Sequence, residues 1–288
     1  MRLALTVALT MVAFAANSIL NRLALVDGAI GPVDFAALRV LSGAVALCGI
    51  VWLRGGQVPF GLARRPWAAL ALALYMLGFS FAYLTLDAGV GALILFGGVQ
   101  ITMFAGGLIA GERPPLLRWI GASIALGGLV WLLWPMGAAR PDGAGVALMA
   151  AAAFGWGIYS LLGRSSGAPL PATAANFALI VPLMAVVWWF ASSDVPATAQ
   201  GIGLALISGM VTSGLGYALW YSVLPRLEAS TAALSQLTVP VIAALGGVLF
   251  LSEGLTLRAV IAGALVIGGV ALGTRASSAK IPPAKRQN

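Results

Sequence analysis

Residues 235–253 read SQLTVPVIAALGGVLFLSE, an apolar run that contains one proline and ends in a glutamate. Small and apolar residues precede this run, and together with its apolar part they form the segment 229–251. This segment is long enough to cross a bilayer, because the hydrocarbon core takes about 20 helical residues. A glutamate directly after such a run stays hydrated at the membrane surface. The stretch therefore predicts a transmembrane helix that ends just before Glu253.

A second copy of this pattern lies earlier in the chain. Glu112 stands 141 residues before Glu253, and the glycine pairs Gly127-Gly128 and Gly268-Gly269 in the following segments have the same spacing. Similarity at a fixed spacing indicates an internal repeat. Each copy holds five predicted spans, and an odd number makes the second copy enter the membrane from the opposite side. The sequence therefore predicts inverted repeats, as in many secondary transporters.

Composition places the whole chain in the membrane. Of its 288 residues, 61% are hydrophobic and 8% are charged, with a mean hydropathy of +1.01. A soluble domain carries about 25% charged residues, because its surface faces water. The sequence therefore predicts an all-α membrane protein with ten transmembrane helices, in two inverted five-helix repeats. The predicted spans are 3–22, 34–53, 67–86, 89–110, 116–134, 144–163, 172–190, 200–221, 229–251 and 256–274.

The basic residues are unevenly divided between the two sides of the membrane. With the N-terminus in the cytoplasm, 12 of the 16 fall on the cytoplasmic side, which basic residues favour. Only Arg22, Arg39, Arg140 and Arg258 fall on the other side. We therefore expect a multi-pass protein of the bacterial inner membrane with both termini in the cytoplasm. Its parts are a first repeat over 1–135, an inverted second repeat over 143–275 and a cytoplasmic tail over 276–288.

The chain lacks the residues that most enzymes and metal sites use. It has no histidine, the commonest metal ligand and the usual acid or base near neutral pH. Its one cysteine, Cys48, excludes a disulfide framework within the chain. We therefore expect no catalytic residue, no metal and no cofactor. Because the net charge of +8 comes from cytoplasmic loops, the expected partners are lipid and a small-molecule substrate, without nucleic acid, and the expected state is a monomer.

The two glutamates and the segments that follow them carry a resemblance to a known family. Those segments read RWIGASIALGGLVWL at 118–132 and RAVIAGALVIGGVAL at 258–272. Over residues 3–274 the chain resembles the drug/metabolite transporter superfamily in its ten-helix form with two EamA-type repeats, and most of all the bacterial aromatic amino-acid exporters. The resemblance departs at Val99, which stands where the second copy has Pro240.

The resemblance implies an exporter of amino acids or related metabolites with a central cavity near spans one, three, four, six, eight and nine. Spans five and ten are implied to pack together as scaffold. Deep polar and aromatic residues of the cavity spans are the binding candidates, although packing between helices is the alternative for each. Trp156 lies too deep for an interfacial belt. The candidate substrate-binding set is Asn17, Phe79, Tyr83, Gln100, Trp156, Tyr159, Tyr217 and Gln236.

The acidic residues indicate how transport is energised. All eight fall at predicted helix ends or in loops: Asp27, Asp34, Asp87, Glu112, Asp142, Asp194, Glu228 and Glu253. Proton-coupled carriers usually hold an ionisable group inside the membrane. We therefore expect Glu112 and Glu253 to be structural, the cavity to be neutral and amide-lined, and export to proceed by alternating access down a gradient. The alternatives are a proton-driven drug exporter and, from another class, a membrane enzyme or scaffold.

Arg39 is the one basic residue well inside a predicted span. A long basic side chain in that position commonly extends toward the interface, where its charge stays in water. We therefore expect Arg39 to reach outward or to pair with Asp34 or a neighbouring loop acid.

Overall fold

The computed structural model describes residues 2–60, 65–133, 141–164, 167–192, 194–254 and 256–275, and every regular element within them is a helix. A π-helix, Ser208–Leu215, joins α8 to α9, and a 3-10 turn, Leu224–Arg226, follows α9. In chain order the α-helices are α1 (Arg2–Val26), α2 (Pro32–Leu53), α3 (Arg65–Ala82), α4 (Ala88–Ile109), α5 (Leu116–Leu133), α6 (Gly143–Gly163), α7 (Pro169–Ala191), α8 (Ala199–Ile207), α9 (Gly216–Val223), α10 (Ala229–Gln236), α11 (Val239–Leu251) and α12 (Leu257–Thr274).

Seven segments of the described chain are long and apolar enough to cross a membrane. They are α1, α2, α4, α6 and α7, the continuous segment Ala199–Arg226, and the segment Ala229–Leu251. Three shorter apolar helices lie within α3, α5 and α12. The all-α membrane class is thus confirmed, and each of the ten predicted spans falls on one of these segments. Whether all ten cross the membrane stays a prediction, and the tail 276–288 lies outside the described residues.

The predicted third span is too long. α3 ends at Ala82, and residues 83–86 form a turn before α4 begins. The N–H groups of Leu84 and Thr85 donate to carbonyls only three residues back, which tightens the backbone out of the α-helix. The candidate Tyr83 therefore lies in this turn. Hydropathy does not reveal the turn, because its residues are as apolar as those of the helix.

The ninth predicted span is broken in the middle. α10 ends at Gln236 and α11 begins at Val239, with Pro240 in its first turn. Proline has no N–H to donate to the carbonyl four residues back, so the helix cannot continue regularly through it. The equivalent helix α4 has Val99 at this position and is unbroken. The sequence difference between the two copies is therefore a difference in backbone structure.

Close packing of small residues holds the helices together. α5 packs along α12, α2 along α7, α6 along both α3 and α4, and α1 along α11 and the α8–α9 segment. A side chain on Gly121 would come within 2.7 Å of the backbone N of Gly273, and one on Gly128 within 3.0 Å of the carbonyl of Ala262. Small residues allow such approaches where lipid gives no hydrophobic drive to associate. α5 and α12 thus pack together, as the resemblance implies, and their role as scaffold stays a prediction.

Candidate substrate-binding site

All eight candidate residues are buried in the bundle, none more than 2% exposed. Seven of them are joined by rings or hydrogen bonds, whereas both amide atoms of Gln100 have no hydrogen-bond partner. The joined residues meet at a group that we call the central cluster, formed by side chains of α1, α2, α3, α6, the π-helix, α9 and α10. The central cluster consists of Asn17, Arg39, Tyr75, Trp156, Ser213, Tyr217 and Gln236.

Aromatic rings form one side of the central cluster. The ring centre of Trp156 lies 4.5 Å from that of Tyr217, 5.1 Å from that of Tyr75 and 5.2 Å from that of Phe14. The Trp156 ring meets that of Phe14 edge to face. Such pairs contribute about 0.5–1.5 kcal/mol beyond the burial of their area. The same rings could stack against an apolar or aromatic part of a ligand.

Phe79, Tyr83 and Tyr159 surround these rings. Phe79 lies between Tyr75 and Tyr83, with ring centres 5.2 Å and 4.7 Å away. Tyr83 packs on Phe79, and its hydroxyl donates to the carbonyl of Ala88. Tyr159 packs on Trp156 at 5.7 Å. These three candidates therefore form the outer layer of the site.

A hydrogen bond ties α6 to the ninth predicted span just before its break. The Trp156 indole N–H donates to Oε1 of Gln236 at 2.7 Å, and Nε2 of Gln236 lies 3.2 Å from Sδ of Met103. A buried indole N–H needs such a partner. Gln236 is the last residue of α10, so movement at the break would move this contact.

The π-helix aims three hydroxyls at one amide. The hydroxyls of Ser208, Thr212 and Ser213 lie 2.6, 2.9 and 3.4 Å from Oδ1 of Asn17. In a π-helix the hydrogen bonds run from residue i to i+5, so residues four and five apart come onto one face. Nδ2 of Asn17 in turn donates to the Tyr75 hydroxyl at 3.3 Å. Such helices often occur at functional sites.

Arg39 corrects two expectations. Its side chain is fully buried. Nε donates to the Ser213 hydroxyl at 2.7 Å, and Nη2 donates to the hydroxyls of Tyr75 at 3.0 Å and Tyr217 at 2.7 Å. The prediction that it reaches outward or pairs with an acid is wrong, because these interior hydroxyls supply its partners. The prediction of a neutral site is also wrong, because the Arg39 guanidinium carries a positive charge inside the central cluster.

Asp34, the partner expected for Arg39, instead accepts a hydrogen bond from the Trp188 indole at 2.7 Å. Sequence reasoning also left Tyr75 and Ser213 out of the binding set. Both belong to polar and aromatic stripes that are visible in spans three and eight, so their positions gave a signal. The signal for Arg39 was weaker: it is a basic residue that lies far from either end of its predicted helix. Nothing local showed which way it points.

Glu112, the first of the two glutamates spaced 141 residues apart, caps the start of α10. Its carboxylate accepts hydrogen bonds from the N–H of Ala229 at 2.8 Å and of Ser230 at 3.4 Å, at the start of α10. Arg164 pairs with it at 2.9 Å and also donates to the carbonyl of Leu227. Burial alone would raise the pKa of Glu112, but the Ala229 N–H and Arg164 outweigh it and hold the pKa below its ordinary value.

Glu253 makes the reciprocal cap. Its carboxylate accepts from the N–H of Ala88, the first residue of α4, at 3.0 and 3.2 Å. Arg22 is the cationic partner, 3.6 Å from Glu253 and 3.5 Å from Asp87. Here burial raises the pKa of Glu253 above its ordinary value, and the Asp87 charge adds to this. A negative charge at a helix N-terminus is stabilising, so both glutamates have the structural position expected for them.

Known proteins resemble this chain over most of its length. A model of the EamA-like transporter family matches residues 143–275. The uncharacterized protein PA1977 of Pseudomonas aeruginosa is 46% identical over 272 residues, which covers 94% of each chain. The crystal structure of another protein superposes on this chain with a TM-score of 0.70 at 22% identity, over 92% of this chain and 97% of its own.

Two more distant relatives have functional names. The probable terminal-alkyne amino-acid exporter of Streptantibioticus cattleyicolor is 26% identical over 212 residues, 71% of this chain and 70% of its own. The threonine/homoserine exporter RhtA of Escherichia coli is 29% identical over 235 residues, 79% of this chain and 76% of its own. The resemblance to EamA-type transporters is confirmed, and the narrower likeness to aromatic amino-acid exporters stays a prediction: the chain belongs to the EamA-like transporter family.

Proposed function

We propose that the protein exports amino acids, aromatic or other neutral ones, or closely related metabolites across the bacterial inner membrane by alternating access. The observation that carries the proposal is the central cluster, a buried polar and aromatic group to which both halves contribute. Tyr75 of α3 and Tyr217 of α9 meet there with their hydroxyls 3.1 Å apart. A solute bound at this point would touch both moving halves. Two relatives named as amino-acid exporters support the substrate class.

The helix contacts support an inverted repeat of five helices in each half. Under such a repeat the contact of α6 with α4 has its counterpart in that of α1 with α11, and both contacts occur. α2 with α7 and α5 with α12 are contacts between equivalent helices. Phe14 and Trp156, 142 residues apart, pack against each other, as do Tyr75 and Tyr217 at the same separation. These pairs lie where a two-fold axis would pass.

The reciprocal caps support two gates. In the proposed topology Glu112 lies at the cytoplasmic face and Glu253 at the outer face. Each carboxylate joins the end of a span in one half to the start of the equivalent span in the other. Opening the cavity to either side would break the cap on that side while the cap on the other side stays closed. Both caps are formed here and the candidate residues are buried, which corresponds to a closed transporter.

The positions of the carboxylates support transport without proton coupling. All eight lie outside the helices except Asp34, which is in the first turn of α2. The central cluster contains none of them. Movement of solute down its own gradient is therefore the mechanism that the structure favours.

One observation favours a proton-driven exporter as the second candidate. Glu253 is half-buried, and its pKa is raised by that burial and by Asp87. A carboxylate held in this way could change its charge as the outer face opens. This candidate predicts that Glu253→Gln removes a dependence on pH and leaves the folded protein intact.

Transport by the purified protein in proteoliposomes tests both candidates. Labelled leucine and phenylalanine should exchange across the membrane with or without a pH gradient, and lysine and glutamate should not compete. Accumulation that occurs only with a pH gradient would establish the proton-driven candidate instead. Empty liposomes and the Trp156→Ala variant are the controls. No exchange of any amino acid at verified protein incorporation would rule out the proposal.

A further inference from the structure

We propose that Arg39 binds the carboxylate of the transported molecule, so that the protein selects solutes with one carboxylate and an uncharged, bulky side chain. This inference rests on the proposed export function and names the group that the site recognises. Arg39 lies seven residues into α2, roughly 10 Å along the helix axis from its start. Its guanidinium is part of the central cluster.

The first argument is the missing counterion. The four ion pairs of the described residues use Arg22, Arg118 and Arg164, and none involves Arg39. The partners of Arg39 are three uncharged hydroxyls. A fully buried cation without an anion is costly to a membrane protein and commonly marks a functional site. A carboxylate that arrives with the substrate would provide the opposite charge.

The second argument is the unused face of the guanidinium. Nε has one hydrogen, donated to Ser213, and the two hydrogens of Nη2 are directed to Tyr75 and Tyr217. Nη1 is buried and has no hydrogen-bond partner. Arginine presents its donors as a planar fork that binds a carboxylate through two parallel hydrogen bonds. Nη1 and Nη2 form such a pair of donors once one tyrosine hydroxyl moves aside.

The third argument is the pre-set orientation of the fork. The guanidinium carbon lies 5.0 Å from the ring centre of Phe79 and 5.3 Å from that of Tyr75, within the range of cation–π contacts. These contacts and the Ser213 bond fix its plane before any ligand binds. A group held in place in this way loses little freedom on binding.

The fourth argument concerns the rest of the solute. Tyr217 contacts both Arg39 and Trp156, so a carboxylate at Arg39 would bring the atoms attached to it close to the aromatic rings. Those rings favour an apolar or aromatic side chain. A second carboxylate would meet no further cation in the central cluster. The class is therefore monocarboxylates with bulky uncharged side chains, of which neutral amino acids are the commonest.

Matched ligand pairs test the inference on the unmodified protein. The probes are leucine against leucinamide and phenylalanine against phenethylamine, as competitors of labelled leucine exchange. Each acid should compete at least about tenfold better than its partner, because a hydrogen-bonded charge pair is lost. Equal competition within both pairs would overturn the role of Arg39 while leaving amino-acid export intact. If no amino acid exchanges at all, the proposed function fails instead.

Variants then connect the selectivity to the residue. Arg39→Gln should raise the half-saturation concentration for leucine at least about tenfold and reduce the difference between leucine and leucinamide. Arg39→Lys should retain some of that difference, since it keeps the charge without the fork. Arg258→Gln is the matched control, because Arg258 lies on α12 and binds the carbonyl of Trp131. A folded Arg39→Gln protein with unchanged selectivity would also overturn the proposal, and the ligand pairs decide it if that variant does not fold.

Discussion

Replacing Glu112 by glutamine should destabilise the protein at neutral pH more than the same replacement of Glu253. The two residues lie 141 positions apart in the sequence, and each caps the N-terminus of a helix in the other part of the chain. Their ion pairs differ, since Arg164 lies 2.9 Å from Glu112 whereas Arg22 lies 3.6 Å from Glu253. Glutamine keeps one oxygen that can accept from the helix N–H but loses the charge. Each variant therefore loses the charge and one acceptor oxygen of the carboxylate.

The pKa directions give the sign at each site. For Glu112, burial opposes ionisation, but the Ala229 N–H and Arg164 prevail and the pKa is lowered. A lowered pKa contributes stability above the ordinary value, and this is lost as pH falls through the folded-state value. For Glu253, burial and Asp87 raise the pKa. A raised pKa contributes stability below the ordinary value, and this is lost as pH rises through the folded-state value.

The geometry sets the size of the effect. The side chains of Glu112 and Arg164 are 16% and 26% exposed, so water screens the pair only partly. A hydrogen bond to a charged group contributes about 1.5–3 kcal/mol, and glutamine keeps a fraction of it. We expect Glu112→Gln to cost about 1–3 kcal/mol near pH 7. That corresponds to a fall in melting temperature of roughly 2–8 °C. Glu253→Gln should cost less than about 1 kcal/mol or stabilise the protein.

Thermal unfolding of the detergent-solubilised variants, followed by tryptophan fluorescence, measures both effects. The cost of Glu112→Gln should decrease as the pH is lowered from neutral toward the lowered pKa of Glu112, because the stability that its ionised form contributes is lost in that direction. Equal losses for the two variants near neutral pH, or a larger loss for Glu253→Gln, would refute the reasoning from the caps.

Three further predictions follow from the site and the topology. Trp156→Ala should abolish exchange while Trp131→Ala, on the scaffold helix α5, keeps it; equal loss at equal expression would mean that Trp156 only packs. In a Cys48→Ala background, a cysteine introduced at Ala144 should react with an impermeant reagent added outside intact cells, and labelling from the cytoplasm alone would exclude the inverted second half. Tyr217→Phe should keep or strengthen leucine binding, since removal of the hydroxyl frees an Nη2 hydrogen for the carboxylate while the ring remains; weaker binding in competition assays would show that the hydroxyl itself contacts the solute.

The sequence was sufficient to predict where the helices lie, because the length of the apolar segments and their repetition reveal them. Ten apolar segments and the 141-residue spacing of the glutamates required no tertiary information. The turn after Ala82 and the extra winding of Ser208–Leu215 were not predictable in this way. Both are small adjustments of backbone hydrogen bonding within apolar sequence, and they follow from packing against other helices. The break at Pro240 was visible as a proline, but its effect depended on the residues around it.

The site was less accessible from sequence than the fold. Residues such as Trp156 and Tyr217 could be selected because bulky polar-edged rings deep in a span need partners. Arg39 could not be assigned, because its partners Ser213 and Tyr217 stand 174 and 178 residues further along the chain. A helix face alone does not show whether such a side chain finds hydroxyls inside the bundle or water outside it. Only the packing of α2 against the π-helix decides this.

Under the proposed inverted repeat, Arg39 has no charged counterpart in the second half. Each half contributes one glutamate cap and one tyrosine of the Tyr75–Tyr217 pair, as the proposed inverted repeat requires. At the 142-residue separation of the Phe14–Trp156 and Tyr75–Tyr217 pairs, which flank Arg39 in the chain, the position that corresponds to Arg39 is Val181 of α7, and at 141 residues it is Ile180; both are apolar. A small acid with one carboxylate has no two-fold symmetry. A binding site near the proposed two-fold axis can therefore distinguish the carboxylate end of the solute from its other end only through a residue that occurs in one half. In the proposed mechanism the gates therefore follow the repeat, whereas the recognition of the solute departs from it.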